Sequence, residues 1–167
     1  MEIIITDRLV LRQPQKSDKD SLFSLLNDYK VQEFLTHIFC ESISDINEFL
    51  FLSELSDFET DFCFILESKE NKEIIGLIEA YVTSDNILCI SYAIKESYRG
   101  KGFICEALKE FIIYVFQKNL NILFVEFSIR NDNNSSIHIM RKLNIPLYRK
   151  MMKYSSYRLT MQERPSW

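Results

Sequence analysis

Glycine is scarce in this chain: three in 167 residues, where average usage gives roughly twelve. Proline is as rare, also three, so few positions have a fixed φ or a missing amide donor. No unbroken apolar run approaches the roughly eighteen residues of a membrane helix, which points to a soluble protein with no membrane partner. The four cysteines, Cys40, Cys63, Cys89 and Cys105, form no Cys-x-x-Cys pair, and the two histidines, His37 and His138, stand far apart. That spacing supplies neither a zinc ligand set nor a dithiol motif, so no metal is expected and the thiols read as free and buried. Positive charge is not in excess either. The net charge is −4 and the basic residues are scattered, which removes the general attraction of a nucleic-acid binder. Residues 1–8 lack the basic stretch, apolar core and small-residue cleavage site of a signal peptide, so a cytoplasmic location is expected, where the N-x-S sequons at Asn133 and Asn134 carry no glycan.

What is present is an ordinary globular composition, 47% hydrophobic and 26% charged, long enough for one domain over residues 1–167 with its own core. Residues 6–12 alternate, with Leu9 and Leu11 on one face and Arg8, Val10 and Arg12 on the other, as in a strand at or near a sheet edge. Ser17, Asp18 and Asp20 open a first helix carrying Leu22, Leu25, Leu26 and Tyr29 at helical spacing. A second starts near residues 42–44 and carries Ile46, Phe49, Leu50 and Ser53, beside Leu52 and Leu55. Three β-rich runs follow, residues 62–66, 74–82 and 87–94, separated by polar turns, and read as an antiparallel meander. Ile104, Leu108, Phe111, Ile112 and Val115 mark a third helix, and residues 123–129 a buried strand. Residues 133–136 form a loop and cap before a short helix over 137–143, and two last strands, 147–153 and 157–161, flank residues 154–156. The order is strand, two helices, three strands, helix, strand, helix, two strands: a mixed α/β domain without repeats or linkers.

Two of the three glycines fall together, in Tyr98-Arg99-Gly100-Lys101-Gly102-Phe103, between a strand-like run and a helix-like one. In a chain so sparing of glycine, such a pair marks a backbone that turns tightly or meets a ligand closely. A loop that opens a helix also presents unpaired N–H groups and the positive end of the helix dipole, so a phosphorylated cofactor is expected there.

This order, with a glycine loop between the fourth strand and the third helix, resembles the GNAT superfamily of acetyl-CoA-dependent N-acetyltransferases along nearly the whole chain. Arg99-Gly100-Lys101-Gly102-Phe103-Ile104 is similar to the family's R/Q-x-x-G-x-G/A pyrophosphate loop. Asn133-Asn134-Ser135-Ser136-Ile137-His138-Ile139-Met140-Arg141-Lys142-Leu143-Asn144-Ile145 is similar to its N-x-x-S-I-x-x-x-x-K-L-G-F segment. Thr6-Asp7-Arg8-Leu9-Val10-Leu11-Arg12 looks like the T-x-R-L-x-L-R opening of the ribosomal-protein N-acetyltransferase branch. The resemblance implies a GNAT-type acyl-CoA N-acyltransferase fold, a central and mostly antiparallel sheet flanked by helices, with acetyl-CoA as co-substrate. It implies direct attack, in a ternary complex, by a primary amine: a protein N-terminus of ribosomal-protein type, or a small amine such as an aminoglycoside or polyamine. Many relatives are dimers, so a homodimer is one arrangement it allows.

By the same resemblance, the backbone from Arg99 through Gly100, Lys101, Gly102 and Phe103 to Ile104 grips the cofactor pyrophosphate, with the Arg99 and Lys101 side chains either near the phosphates or solvated. The fourth strand lies along the pantetheine arm through Tyr92 and Ile94, and the Tyr92 N–H stabilises the thioester oxygen; the Tyr92 ring is either core or a functional phenol. Asn133 matches an asparagine that contacts the cofactor arm, unless it is a plain helix cap. The acid and base do not carry over, because the family's glutamate position is Leu88, its tyrosine position is Met140, and Ile104 replaces a small loop residue. Ser136 is the candidate proton donor, or a cap; Glu79, midway along the third strand, is the candidate base or water-relay carboxylate, or an exposed glutamate. His138 reads as solvent-facing or core-edge, and His37, amid Phe34, Leu35, Ile38 and Phe39, as the border of an acceptor pocket. The alternative function is a catalytically silent acyl-CoA-binding sensor or interaction module.

Overall fold

In the computed structural model, which describes residues 2–35, 40–55, 60–118 and 121–160, the amino-terminal alternation forms a hairpin rather than one strand. β1 (Ile3–Ile5) pairs antiparallel with β2 (Leu9–Arg12), Ile5 opposite Val10. Thr6 makes the break. Its N–H donates to the Leu9 carbonyl at 3.0 Å while its hydroxyl accepts the Leu9 N–H at 2.9 Å, closing a turn over Asp7 and Arg8. β1 is the sheet edge, and Leu9 and Leu11 are buried as the alternation requires.

A 3-10 turn at Lys16–Asp18 leads into α1 (Lys19–Leu26). Arg12 holds this entry: its guanidinium grips the buried Asp18 through two bonds of 2.7 and 2.9 Å and donates Nε to Glu67 at 2.8 Å. Tyr29, expected on the first helix, is exposed and opens the single-turn α2 (Tyr29–Gln32), because the Asp28 side chain caps that turn by accepting the Lys30 N–H at 2.9 Å. α3 (Ile43–Glu54) starts at a reciprocal cap between Ser42 and Asp45. It buries Ile46, Leu50 and Ser53, while Leu52 and Leu55 face outward.

The meander forms as expected: β3 (Asp61–Ser68), β4 (Ile74–Val82) and β5 (Ile87–Ile94). Then come α4 (Phe103–Lys118), β6 (Phe124–Arg130), α5 (Asn134–Lys142), β7 (Leu147–Lys150) and β8 (Tyr154–Thr160). Residues 154–156, expected between the last two strands, begin β8 instead. Ser155 and Ser156 are buried and pair with both β6 and β7, and the turn sits at 151–153, where the Met151 N–H donates to the Tyr154 carbonyl at 2.8 Å. Met161, expected to end that strand, lies outside the described residues.

The eight strands form one sheet in the order β1-β2-β3-β4-β5-β6-β8-β7, antiparallel at every join but one. β5 and β6 run parallel and pair only through Ile87, Leu88 and Cys89, opposite Phe124, Val125 and Glu126. Past Cys89 the two strands part. On one face α4 buries a stripe that includes Ile104, Leu108, Phe111 and Val115, with Phe111 edge-on to Phe62 and Phe64 at centroid distances of 5.9 and 5.7 Å. On the other face Leu22, Leu25, Ile46 and Leu50 of α1 and α3 pack over Ile65, Ile74, Leu77 and Ala93. Each such side chain contributes about 1.5–3 kcal/mol when fully buried, so the meander is held firmly from both sides and β5 presents a rigid rim to the split. All four thiols are free. Cys40 and Cys63 are buried as expected; Cys89 and Cys105 are only half-buried, the first beside Tyr81 and the second lining a cavity in the opening turn of α4.

Candidate active site

Pairing along a strand alternates, and this aims β5 at the split. The Lys95 N–H donates to the Ile75 carbonyl on the β4 side at 2.8 Å, so the amides of Ile94 and Tyr92 face away from β4, where no β6 residue pairs with them. The chain then passes a 3-10 turn at Glu96–Tyr98 and goes through Gly100 and Gly102, at φ +73° and +82°. A Cβ on Gly102 would find nothing nearer than Arg8 Nη2 at 3.7 Å, so backbone conformation rather than crowding requires glycine there. Among the described residues the amides of residues 100–105 meet no acceptor; pairing resumes with the Glu106 N–H on the Gly102 carbonyl at 3.1 Å. A row of free donors at the positive end of a sixteen-residue helix is a site for an anion.

The β1–β2 turn braces this loop. Glu106, in the first turn of α4, accepts the Thr6 hydroxyl, the Arg8 N–H at 2.8 Å and Arg8 Nε at 2.6 Å. Arg8 in turn donates Nη1 to the Lys101 carbonyl at 3.0 Å and lays its guanidinium 4.2 Å over the Phe103 ring. Burial pushes the Glu106 carboxyl up, but the bonds from Thr6 and Arg8 outweigh it and hold the group below the usual carboxylate range. The role of Glu106 was invisible in the sequence, because its partners stand about a hundred residues away and no local pattern links them.

The split and the loop open onto one cavity of about 470 Å³. Tyr92, Ile94, Arg99, Gly100, Gly102, Phe103, Ile104, Asn133 and Ser136 all line it, so most residues singled out in the sequence converge there. Lys101 does not. Its carbonyl is taken by Arg8 and its ammonium lies 5.4 Å over the Tyr98 ring, beside a second groove of about 570 Å³ that shares Gly102, Cys105 and Lys142 with the cavity and adds Arg8 and Lys109. The cationic side chains around the loop are therefore Arg8, Arg99, Lys101, Lys109 and Lys142; Lys142 and Arg8 were not anticipated as its neighbours. Lys30 reaches the cavity from α2 while paired with Glu96. At the mouth, Arg130 Nη1 donates to the Glu33 carbonyl at 2.8 Å and its guanidinium lies 4.9 Å from the Phe34 ring, tying the end of β6 to the segment after α2.

Within the cavity, Asn133 Oδ1 caps α5 by accepting the Ser136 N–H at 3.0 Å, which leaves the Asn133 amide nitrogen to donate elsewhere. Tyr92 packs its ring edge-on against Phe127 at 6.3 Å, and its hydroxyl is buried without a hydrogen-bond partner. Burial drives that phenol far above its usual pKa, against an opposing pull from the Ser136 hydroxyl. Glu79 is not part of this cluster. It sits opposite Ser91 on β5 whereas Tyr92 sits opposite Ile78, so the two project to opposite faces, and Glu79 lines a separate cavity of about 700 Å³ with Cys40, Phe49 and Ser91. Leu88 and Met140 are fully buried in the core and reach neither cavity. His138 is exposed on the rim, and His37 lies outside the described residues.

A parallel strand pair that splits beside a helix with free opening amides is the architecture of an acyl-CoA N-acyltransferase. The model of the acetyltransferase (GNAT) domain matches residues 8–145, and the chain belongs to this family; it is an N-acetyltransferase. The uncharacterized N-acetyltransferase p20 of Bacillus licheniformis is 27% identical over 147 residues, covering 86% of this chain and 82% of that protein. The ribosomal L7/L12 alpha-N-protein acetyltransferase RimL, solved with coenzyme A, superposes with a TM-score of 0.83 at 17% identity over 97% of this chain and 99% of its own. The spermidine N-acetyltransferase of Vibrio cholerae, solved with CoA and spermine, gives 0.79 at 17% identity over 93% and 97%. These two structures establish the shared fold. Among the described residues no helix is long and apolar enough to cross a membrane.

Proposed function

We propose that this chain transfers acetyl from acetyl-CoA to a primary amine by direct attack in a ternary complex. The observation that carries this is the row of unpaired amides at residues 100–105, opening on a cavity that runs to the β5–β6 split. The donors, the positive-φ glycines and the surrounding Arg8, Arg99 and Lys142 fit a pyrophosphate, and the unpaired rim of β5 fits an amide-bearing arm. When bound, acetyl-CoA supplies an activated acyl group on a thiol leaving group. The Tyr92 N–H faces the split and stabilises charge developing on the acyl oxygen, a contribution of about 3 kcal/mol for one preorganised donor. Asn133 would orient the arm with its amide nitrogen, and Ser136, which lines the same cavity, would donate to the leaving thiolate. Glu79, on the opposite face of the sheet and lining a separate cavity with Ser91, has no part in this assignment.

Among the described residues no carboxylate lines the cavity, and this favours an amine that is already neutral. An α-amine with a pKa near 7.8 is neutral in roughly one molecule of seven at pH 7, against about one lysine side chain in 2,500. A protein N-terminus or a weakly basic small amine is therefore the preferred acceptor. The relatives named above include one enzyme acting on a ribosomal protein and one on spermidine, so both acceptor classes belong in the test. A second reading, a cofactor-binding module without turnover, draws on the burial of Leu88 and Met140 away from the cavity. Free-thiol release from acetyl-CoA across N-terminal peptides, aminoglycosides and polyamines, with calorimetric binding of CoA as control, separates the two. Turnover with one class supports transfer and assigns the acceptor; binding with no turnover supports the silent module; absence of binding removes both.

A further inference from the structure

Packing does not account for the Tyr92 hydroxyl. The ring has its apolar partner in Phe127, yet its oxygen is shut away from solvent with no hydrogen bond, an arrangement that phenylalanine would avoid. Its neighbours in the cavity are few. The Cys105 thiol is a weak acceptor, whereas the Ser136 hydroxyl, which lines the same cavity and stands close enough to act on the phenol, is a good one. Ser136 is itself held in place, since its backbone N–H is bound to Asn133 Oδ1 in the first turn of α5.

We propose that Tyr92 is a positioning residue: its O–H donates to Ser136 Oγ when the cavity is filled and so turns the Ser136 proton toward the sulfur of the bound thioester, an assignment that rests on the acetyl-transfer function above. A hydroxyl has one proton and two acceptor sites. With one site filled by the phenol, the Ser136 proton cannot point back at Tyr92 and is directed into the cavity. Burial keeps the phenol protonated, so it remains a donor throughout the working pH range. In the reaction the amine nitrogen bonds the acyl carbon and the C–S bond breaks with its electron pair on sulfur. The Ser136 hydrogen bond stabilises that pair until sulfur takes up a proton, matching the one shed by the amine.

Calorimetry with CoA and with desulfo-CoA, which lacks the thiol, tests the assignment on wild type, Tyr92→Phe, Ser136→Ala and the double variant, alongside turnover of acetyl-CoA with the best acceptor. Tyr92→Phe is expected to melt at the same temperature or higher and to bind desulfo-CoA within about twofold of wild type. It should lose the preference for CoA over desulfo-CoA, and its kcat should fall about tenfold or more with the KM for acetyl-CoA nearly unchanged. Ser136→Ala should show the same losses, Ser136→Thr should recover part of them, and the double variant should fall no lower than the worse single variant. Full kcat and an intact thiol preference in Tyr92→Phe would overturn the assignment, as would losses that multiply in the double variant. If wild type binds CoA but acetylates nothing, the transferase function fails, and the comparison of CoA with desulfo-CoA still decides where the Tyr92 hydroxyl acts.

Discussion

Removal of the Glu106 carboxylate should loosen the glycine loop without touching any residue that lines the main cavity. Glu106→Ala deletes the bonds from the Thr6 hydroxyl, the Arg8 N–H and Arg8 Nε. The Thr6 hydroxyl, buried, would keep as a donor only a long bond to the Leu9 carbonyl at 3.4 Å. The Arg8 side chain is 46% exposed, so its ion pair with Glu106 is screened and contributes at most about 1 kcal/mol. The other two donors meet a charged acceptor that is 16% exposed, and contribute about 1.5 kcal/mol each at the low end of such bonds. Together these give a loss of about 3–4 kcal/mol in urea unfolding at pH 7, and about half of that for Glu106→Gln, which keeps one acceptor oxygen. The pH dependence has a definite sign. The folded carboxyl lies below its unfolded value of about 4.3, so its contribution is complete above that pH and fades as pH falls through the folded value. The gap between wild type and Glu106→Gln should therefore be full at pH 7 and shrink below about pH 4. Because Arg8 would no longer fix the Lys101 carbonyl, CoA affinity of Glu106→Ala by calorimetry should drop about tenfold. A loss under about 1 kcal/mol together with unchanged CoA affinity would refute the bracing role.

Two backbone substitutions extend the test. Gly102→Val forces a β-branched residue to φ +82°, at a cost of about 1–2 kcal/mol or more, and should weaken CoA binding at least tenfold, roughly 1.4 kcal/mol; unchanged affinity by calorimetry would remove the phosphate-loop assignment. Gly76→Ala places a Cβ 2.4 Å from the Ala93 carbonyl oxygen and 3.1 Å from Leu66, so β4 must move off β5. Its unfolding free energy in urea should fall by about 2–3 kcal/mol, and a loss below about 0.5 kcal/mol would show that the two strands separate freely.

How much could be read from the chain varies with the range of the interaction. The Thr6–Arg12 alternation put Leu9 and Leu11 together on one face, which is the buried one, yet it hid the hairpin, because the turn is closed by a Thr6–Leu9 exchange rather than by glycine or proline. Tyr29 kept helical spacing with Leu25 and Leu26, but a side-chain cap at Asp28 restarted the helix and turned the tyrosine outward. Residues 154–156 looked like a turn by composition, and were drawn into β8 by pairing on both sides. The glycine loop was legible because positive φ restricts residue type locally.

The sequence by itself determined the mixed α/β class, the glycine pair at the opening of α4 and the cap of α5, because each depends on periodicity or on residues within a turn of one another. Tertiary structure alone decided which candidates act together. Strand alternation sent Glu79 to the opposite face from Tyr92, a three-residue parallel pairing opened the split, and Glu106 joined Thr6 and Arg8 across most of the chain. The physical reason is that side-chain direction and strand partner are set by sheet register, and register is fixed only once a face of the sheet is buried against distant parts of the chain.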